Sequence, residues 1–218
     1  MASPSVKLVE LWDPVVRLTH WSIAVIVLLN AVLTEGDSLL HIWAGWVGMA
    51  ILAMRLLWGL IGTPEARFVA FPPNPRAALS HLANLVAGRP DHYPSHNPAG
   101  AAMAYALWGT LGLLMFTGLV MTGGDTPMQI ADQRAAVAAG DWSVLVPAGD
   151  SSDNGGDNGG GETGDSKAGT WAETAKEVHG LAGNLIIFLA LMHVAGVVFE
   201  SRAMRRNLVK PMLFGQDK

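Results

Sequence analysis

Four apolar stretches, at 15–34, 39–61, 99–122 and 171–199, dominate this chain of 218 residues. Each holds about the 17–25 residues that cross roughly 30 Å of hydrocarbon at about 1.5 Å per residue. In lipid only helices or closed barrels satisfy the backbone, and these runs lack the alternation of barrel strands. The expected fold class is all-α: a membrane four-helix bundle with a long acidic outer loop between the third and fourth spans. Composition agrees, with 50% hydrophobic and 15% charged residues, where soluble domains carry about 25% charge. The chain has no cysteine, which removes thiol nucleophiles, thiolate-held iron–sulfur clusters and covalent haem of the CxxCH type. A redox cofactor would have to be held by other side chains. The start MASPSVKLVELWDP has no short apolar core followed by a small-residue cleavage site, so the first span is expected to be retained.

Charge sets the expected orientation. Lys7, Arg17, Arg55, Arg67, Arg76, Arg89, Arg202, Arg205, Arg206, Lys210 and Lys218 fall at one end of the spans; Arg134, Lys167 and Lys176 fall at the other. Both termini and the Pro-rich loop 62–98 are therefore expected in the cytoplasm of a bacterium, with the chain crossing its inner membrane. Residues 123–170 then form a periplasmic insert in a single membrane domain spanning 1–218. The net charge of −4 hides an asymmetry, because 123–177 alone holds ten acidic and three basic residues. Within the insert, DSSDNGGDNGGGETGDS at 150–166 buries nothing and is expected to be flexible. Asp-Gly runs also bind calcium, but the spacing here matches no calcium loop and does not repeat. The segment TPMQIADQRAAVAA, at 126–139, is compatible with a short surface helix.

Three of the seven histidines, His81, His92 and His96, fall in the polar loop, where solvated or turn roles are the default. His20, His41, His179 and His193 fall in or at the ends of apolar spans, where ionisable groups are costly and usually face the bundle interior with a partner. By depth, His41 and His179 are outer, while His20 and His193 are inner. His179 and His193 are fourteen residues apart, which returns to within about 40° of one azimuth some 21 Å along the axis. One helix thus offers a ligand at each of two levels, and two other helices offer the complements: His41 with His179, and His20 with His193.

Paired imidazoles suit the two faces of a b-type haem, so two haem b groups are expected, with the four histidines as axial ligands to iron. Ala44, Gly45 and Gly48 after His41, and Ala182, Gly183 and Ala190 after His179, leave room for a flat ring, although small residues also permit close helix packing. Irons with two imidazoles keep no open position, which favours electron transfer over oxygen binding. Arg55, fourteen residues after His41, is placed either to meet a haem propionate or to snorkel to the cytoplasmic surface, and Arg17 has the same two readings. Trp12, Trp21 and Trp58 on the inner side, and Trp43, Trp46 and Trp171 on the outer, read as interface belts.

The segments WDPVVRLTHW (12–21), LHIWAGWVGMAILAMRLLWGLIG (40–62), ARF (66–68), HNPAG (96–100), TG (117–118), EVHGLAGNLIIFLALMHVAGV (177–197) and NLVKPMLFG (207–215) together resemble the bacterial cytochrome b561 and nickel–iron hydrogenase cytochrome b superfamily. The resemblance covers nearly everything except the acidic insert. It implies a dihaem membrane cytochrome that passes electrons between a quinone pool and a redox partner. It also implies axial ligands at His20, His41, His179 and His193, the four that depth selected. His96 is not among the ligands so implied and is read as structural or as quinone-side chemistry. Compact members join the last two helices with a much shorter segment; here the insert is a candidate docking surface for a c-type cytochrome, steering a basic partner.

Two other functions fit the sequence. One is the membrane anchor of a hydrogenase or dehydrogenase, taking electrons from a larger outer subunit. The other, of a different class, is a haem-free four-helix transporter or assembly factor whose histidines bind a metal or substrate. Membrane lipid surrounds the bundle in every case, and no nucleic-acid partner is expected.

Overall fold

The computed structural model describes residues 13–89, 93, 97–145 and 162–215, the side chains of 145 and 162–169 excepted. Among the described residues seven α-helices follow one another: α1 Pro14–Val32, α2 Leu39–Ile61, α3 Pro75–Val86, α4 Pro98–Met121, α5 Pro127–Ala138, α6 Glu162–Ala203 and α7 Val209–Phe214. Short 3-10 turns lie at Pro64–Ala66, Phe68–Ala70 and Ser143–Leu145, and there is no strand among the described residues. Four helices are long and apolar enough to cross a membrane: α1, α2, α4 and the Thr170–Ala203 part of α6. They match the four expected spans. The expected flexible segment 150–166 lies outside the described residues as far as 161, and from Glu162 the backbone is helical.

One local rule starts most of these helices. Asp13-Pro14, Asn74-Pro75, Asn97-Pro98 and Thr126-Pro127 each place a capping side chain before a proline at the first helical position. The cap oxygen accepts from an otherwise unpaired N–H, and proline has no N–H to leave unpaired. At α5 the cap is reciprocal, with Gln129 also accepting from the Thr126 backbone. The short surface helix expected at 126–139 is this element. At the exits, Gly88, Gly123, Gly124 and Gly140 turn the chain with positive φ after α3, α4 and α5, a region where a Cβ is strained.

The loop 62–98 holds more structure than its Pro-rich composition suggested. Its two 3-10 turns and α3 pack back onto the basic end of the bundle, where α3 lies along α4. Gly59 allows this, since a Cβ there would collide with the Phe68 ring at 2.3 Å. Phe68 continues into a stack with Phe71, Tyr105 and Trp108, with ring centroids 5.5–6.4 Å apart. α7 closes the same end. Trp21 Nε1 donates to the Met212 carbonyl at 3.1 Å, and Gly215, at φ 81°, lets Arg17 approach so closely that a Cβ would stand 2.9 Å from Nη1.

The bundle is built as two helix pairs, α1 along α2 and α4 along α6, joined mainly where α2 meets α4. Leu52, Leu111 and Ile186 form the buried core, with Ile23, Val27, Leu107, Trp108, Leu114 and Met115 packed around them. Protein buries only 11–22% of each span, so most apolar side chains face lipid, as a membrane helix requires. Backbone contact between α6 and either α1 or α2 is sparse.

Candidate functional site

Across that sparse contact the histidines meet. His41 of α2 and His179 of α6 have ring centroids 6.1 Å apart, and His20 of α1 and His193 of α6 are likewise 6.1 Å apart. Ile186 lies seven residues from each α6 histidine, so the buried Leu52–Leu111–Ile186 layer separates the two levels. An imidazole pair thus stands about 10 Å to either side of a dry apolar layer.

The outer pair is oriented by threonines. Oγ1 of Thr117 donates to the Leu113 carbonyl at 2.8 Å and stands 2.9 Å from Nδ1 of His179. With its proton committed to the carbonyl, the hydroxyl accepts from His179, which places the ring proton on Nδ1 and leaves Nε2 with a free lone pair. Thr34 repeats the arrangement more loosely. Its Oγ1 is 3.2 Å from Nδ1 of His41 and 3.3 Å from both oxygens of Asn30. Thr117 keeps its own hydroxyl satisfied through the helix backbone. His20 and His193 have no hydrogen bond among the described residues; the Trp21 ring packs edge-on against His20 with centroids 5.3 Å apart.

Arg55 resolves one of the two readings left open for it. It is buried, at 5% exposure, and its Cζ lies 4.9 Å over the Trp108 ring, so it does not snorkel. Nη1 of Arg55 and Nε of Arg17 are buried without a hydrogen-bond partner among the described residues. Arg55 lies within electrostatic reach of His20 and Asp13, which puts its charge at the inner level. A guanidinium with an unsatisfied nitrogen in an apolar bundle is costly unless an anion joins it.

These features fit a b-type haem. Two imidazoles bound through nitrogen to opposite sides of one metal, at about 2 Å each, have centroids roughly 6 Å apart. No cluster of three or more His, Cys, Asp or Glu exists among the described residues. A metal at either pair therefore has two protein ligands and needs the rest from elsewhere, which is what a porphyrin supplies. Gly45 and Gly183, one turn beyond His41 and His179, have nothing within 4 Å of where a Cβ would stand. These two glycines thus border open space, whereas Gly48 packs against Ile26 and Ala182 is buried.

Other expectations changed. His81, read as solvated, is 1% exposed: α3 turns it inward against Tyr93 and toward Glu200. Trp58 is more than a belt residue, since its Nε1 donates to Asp13 Oδ2 at 2.9 Å, an oxygen that also accepts from Thr63 at 2.7 Å. His92, His96 and Trp12 lie outside the described residues. Thr34, Asp13 and Trp108 were missed. Of these, Asp13 had a signal in the sequence, the Asp-Pro start of a helix.

The fold and the site define a membrane four-helix bundle with two stacked imidazole pairs, the class of b-type cytochromes. The family of prokaryotic cytochrome b561 matches residues 11–215, nearly the whole chain, and the chain belongs to that family. It is a membrane protein of electron transfer, and its family binds haem b. No curated protein and no solved structure matches it.

Proposed function

We propose that the chain is a dihaem cytochrome that carries electrons across the bacterial inner membrane between a quinone pool and a redox partner such as a c-type cytochrome. One observation carries the reading: two imidazole pairs, each with centroids 6.1 Å apart, at two levels of the same helix. His41 with His179 would hold one haem b and His20 with His193 a second, levels about 21 Å apart along α6. Haem b held by two imidazoles supplies a one-electron iron couple without an open coordination position. The rest is positioning by the chain. Thr117 holds the His179 imidazole with Nε2 free to ligate, and Thr34 stands 3.2 Å from Nδ1 of His41. Arg55 and Arg17 bring positive charge with unused donors to the inner level, suited to carboxylates carried by the cofactor. The Leu52–Leu111–Ile186 layer keeps water from the space between the levels. The Lys/Arg-rich end, with α3 and α7, faces the cytoplasm, and the acidic insert steers a basic partner on the other face.

The test is the reduced-minus-oxidised spectrum of the purified protein with haem quantified per chain. Two haems are expected. His41→Ala or His179→Ala should remove one haem and spare the other, and His20→Ala or His193→Ala should do the converse. A colourless protein from haem-replete cells overturns the reading; equal loss of both haems from every single replacement overturns the pairing.

A further inference from the structure

A second cluster of ionisable groups lies at the basic end, apart from the four histidines. His81 of α3 is 1% exposed, and neither ring nitrogen has a hydrogen-bond partner among the described residues. Its Nε2 is 3.8 Å from Oε1 of Glu200 on α6, a carboxylate with 16% of its side chain exposed. Both Glu200 oxygens accept from Asn97 Nδ2, at 2.8 and 2.7 Å, while Asn97 Oδ1 accepts from the Gly100 N–H at 2.6 Å. Asn97 is therefore spent twice, capping α4 and holding the carboxylate toward α3. Tyr93 covers the His81 ring edge-on at 5.3 Å.

Two facts point away from a purely structural lock. A buried neutral imidazole with both nitrogens unpaired is unfavourable, and a proton on it would create a charge-assisted contact with a carboxylate already in place. Glu200 also follows His193 by seven residues, two turns on the same face of α6, about 10 Å along the axis. At an effective dielectric constant near 20, a unit charge at about that distance changes a proton affinity about tenfold.

We propose that His81 and Glu200 form a proton-accepting site coupled to the inner histidine pair; this rests on the reading of His20 and His193 as haem ligands. When one electron reaches the inner level from the redox partner, one proton from the aqueous phase at the basic end binds the His81 imidazole, which becomes an imidazolium paired with the Glu200 carboxylate. Reoxidation returns the same proton. The added negative charge favours the protonated form, so the inner potential falls as pH rises. α4 offers only the neutral Asn97 at its start, and α6 offers Glu200. On α3, Arg76 stands about 140° around the helix from His81. Asp91, His92 and His96 of the connecting segment lie outside the described residues.

The test is a redox titration of the dihaem holoprotein at several values between about pH 6 and about pH 9, each haem followed by its own absorbance, with net proton uptake on reduction measured by an indicator dye. In the wild type the inner potential should fall with pH and reduction should take up protons. His81→Gln and Glu200→Gln should flatten the inner slope and lower the uptake, Glu200→Asp should retain both, and the outer potential should keep its own behaviour throughout. Glu200→Gln preserves size and the contact with Asn97, and so decides the matter if His81→Gln fails to fold. A pH-independent inner potential in the wild type, or an unchanged slope in Glu200→Gln with normal haem content, overturns the proton site alone. Absence of haem from the wild type overturns the reading beneath it.

Discussion

Thr117 Oγ1 lies 2.9 Å from Nδ1 of His179 and gives its own proton to the Leu113 carbonyl. The direction of this contact decides the tautomer of the ring, and with it which nitrogen keeps a free lone pair. A side chain on α4 thus orients an imidazole on α6 across the helix boundary.

Thr117→Val keeps the shape of the side chain and removes the acceptor. Loss of such a partner from a metal-bound histidine typically costs about 10–100-fold in affinity. The expected result is faster release of the outer haem by about that factor, followed by transfer to an apoprotein acceptor, with the inner haem unaffected. Thr34→Val should have a smaller effect, because its contact with His41 is longer, at 3.2 Å.

Two glycines of α2 should respond in opposite ways. Gly59→Ala drives a Cβ into the Phe68 ring, displacing the aromatic stack that supports Arg55. An overpacking cost of about 1–3 kcal/mol should appear as a lower Tm of the detergent-solubilised protein. A Cβ at Gly45 meets nothing within 4 Å, so Gly45→Leu does not clash at its branch from the helix. It should leave helicity unchanged by circular dichroism yet, on the proposed dihaem reading, lower the haem content from two per chain toward one, because the side chain would enter the space beside His41.

Asp13 ties α1 to the end of α2. Burial pushes its carboxyl up, but hydrogen bonds from Trp58, Thr63 and the Val16 N–H outweigh this and hold it below its ordinary value of 3.8. A carboxyl lowered on folding contributes stability that is fully present above its unfolded value, near 3.9, and is lost as pH falls through the folded value. Wild-type stability should therefore drop below about pH 4. Asp13→Asn should be less stable at neutral pH by about 1–3 kcal/mol and should lack this part of the acid dependence, as seen by thermal denaturation across pH.

The absence of cysteine makes topology directly measurable. Ser80 of α3 and Ala139 after α5 are both exposed. A membrane-impermeant maleimide applied to intact cells should label Ala139→Cys and leave Ser80→Cys unlabelled until the membrane is opened. The reverse pattern would invert the proposed orientation.

The four spans were legible because their signal is local: length and hydropathy suffice when the solvent is lipid and the backbone must satisfy itself. The pairing of histidines by depth was legible for a related reason, since helical rise and azimuth follow from residue number alone. The second shell around those histidines was not. Thr117 and Thr34 are ordinary hydroxyls in an apolar sequence, and only the packing of α4 on α6, and of the turn after α1 on α2, brings them to a ring nitrogen. Arg55 had two readings, and its burial over Trp108 sets snorkelling aside. His81 was misplaced because a Pro-rich, polar segment reads as a loop, whereas α3 has a buried face supplied by α4.

By itself, then, the sequence determined a helical membrane chain with an acidic segment between its last two spans, and four histidines at two depths. Each of these depends on neighbours along one chain segment. The tertiary structure alone decided that the rings of each pair come within 6.1 Å, that Arg55 lies buried with an unused donor, and that His81 meets Glu200. Those relationships cross between helices, and azimuthal packing in a bilayer is set by side-chain fit and polar contacts rather than by hydropathy.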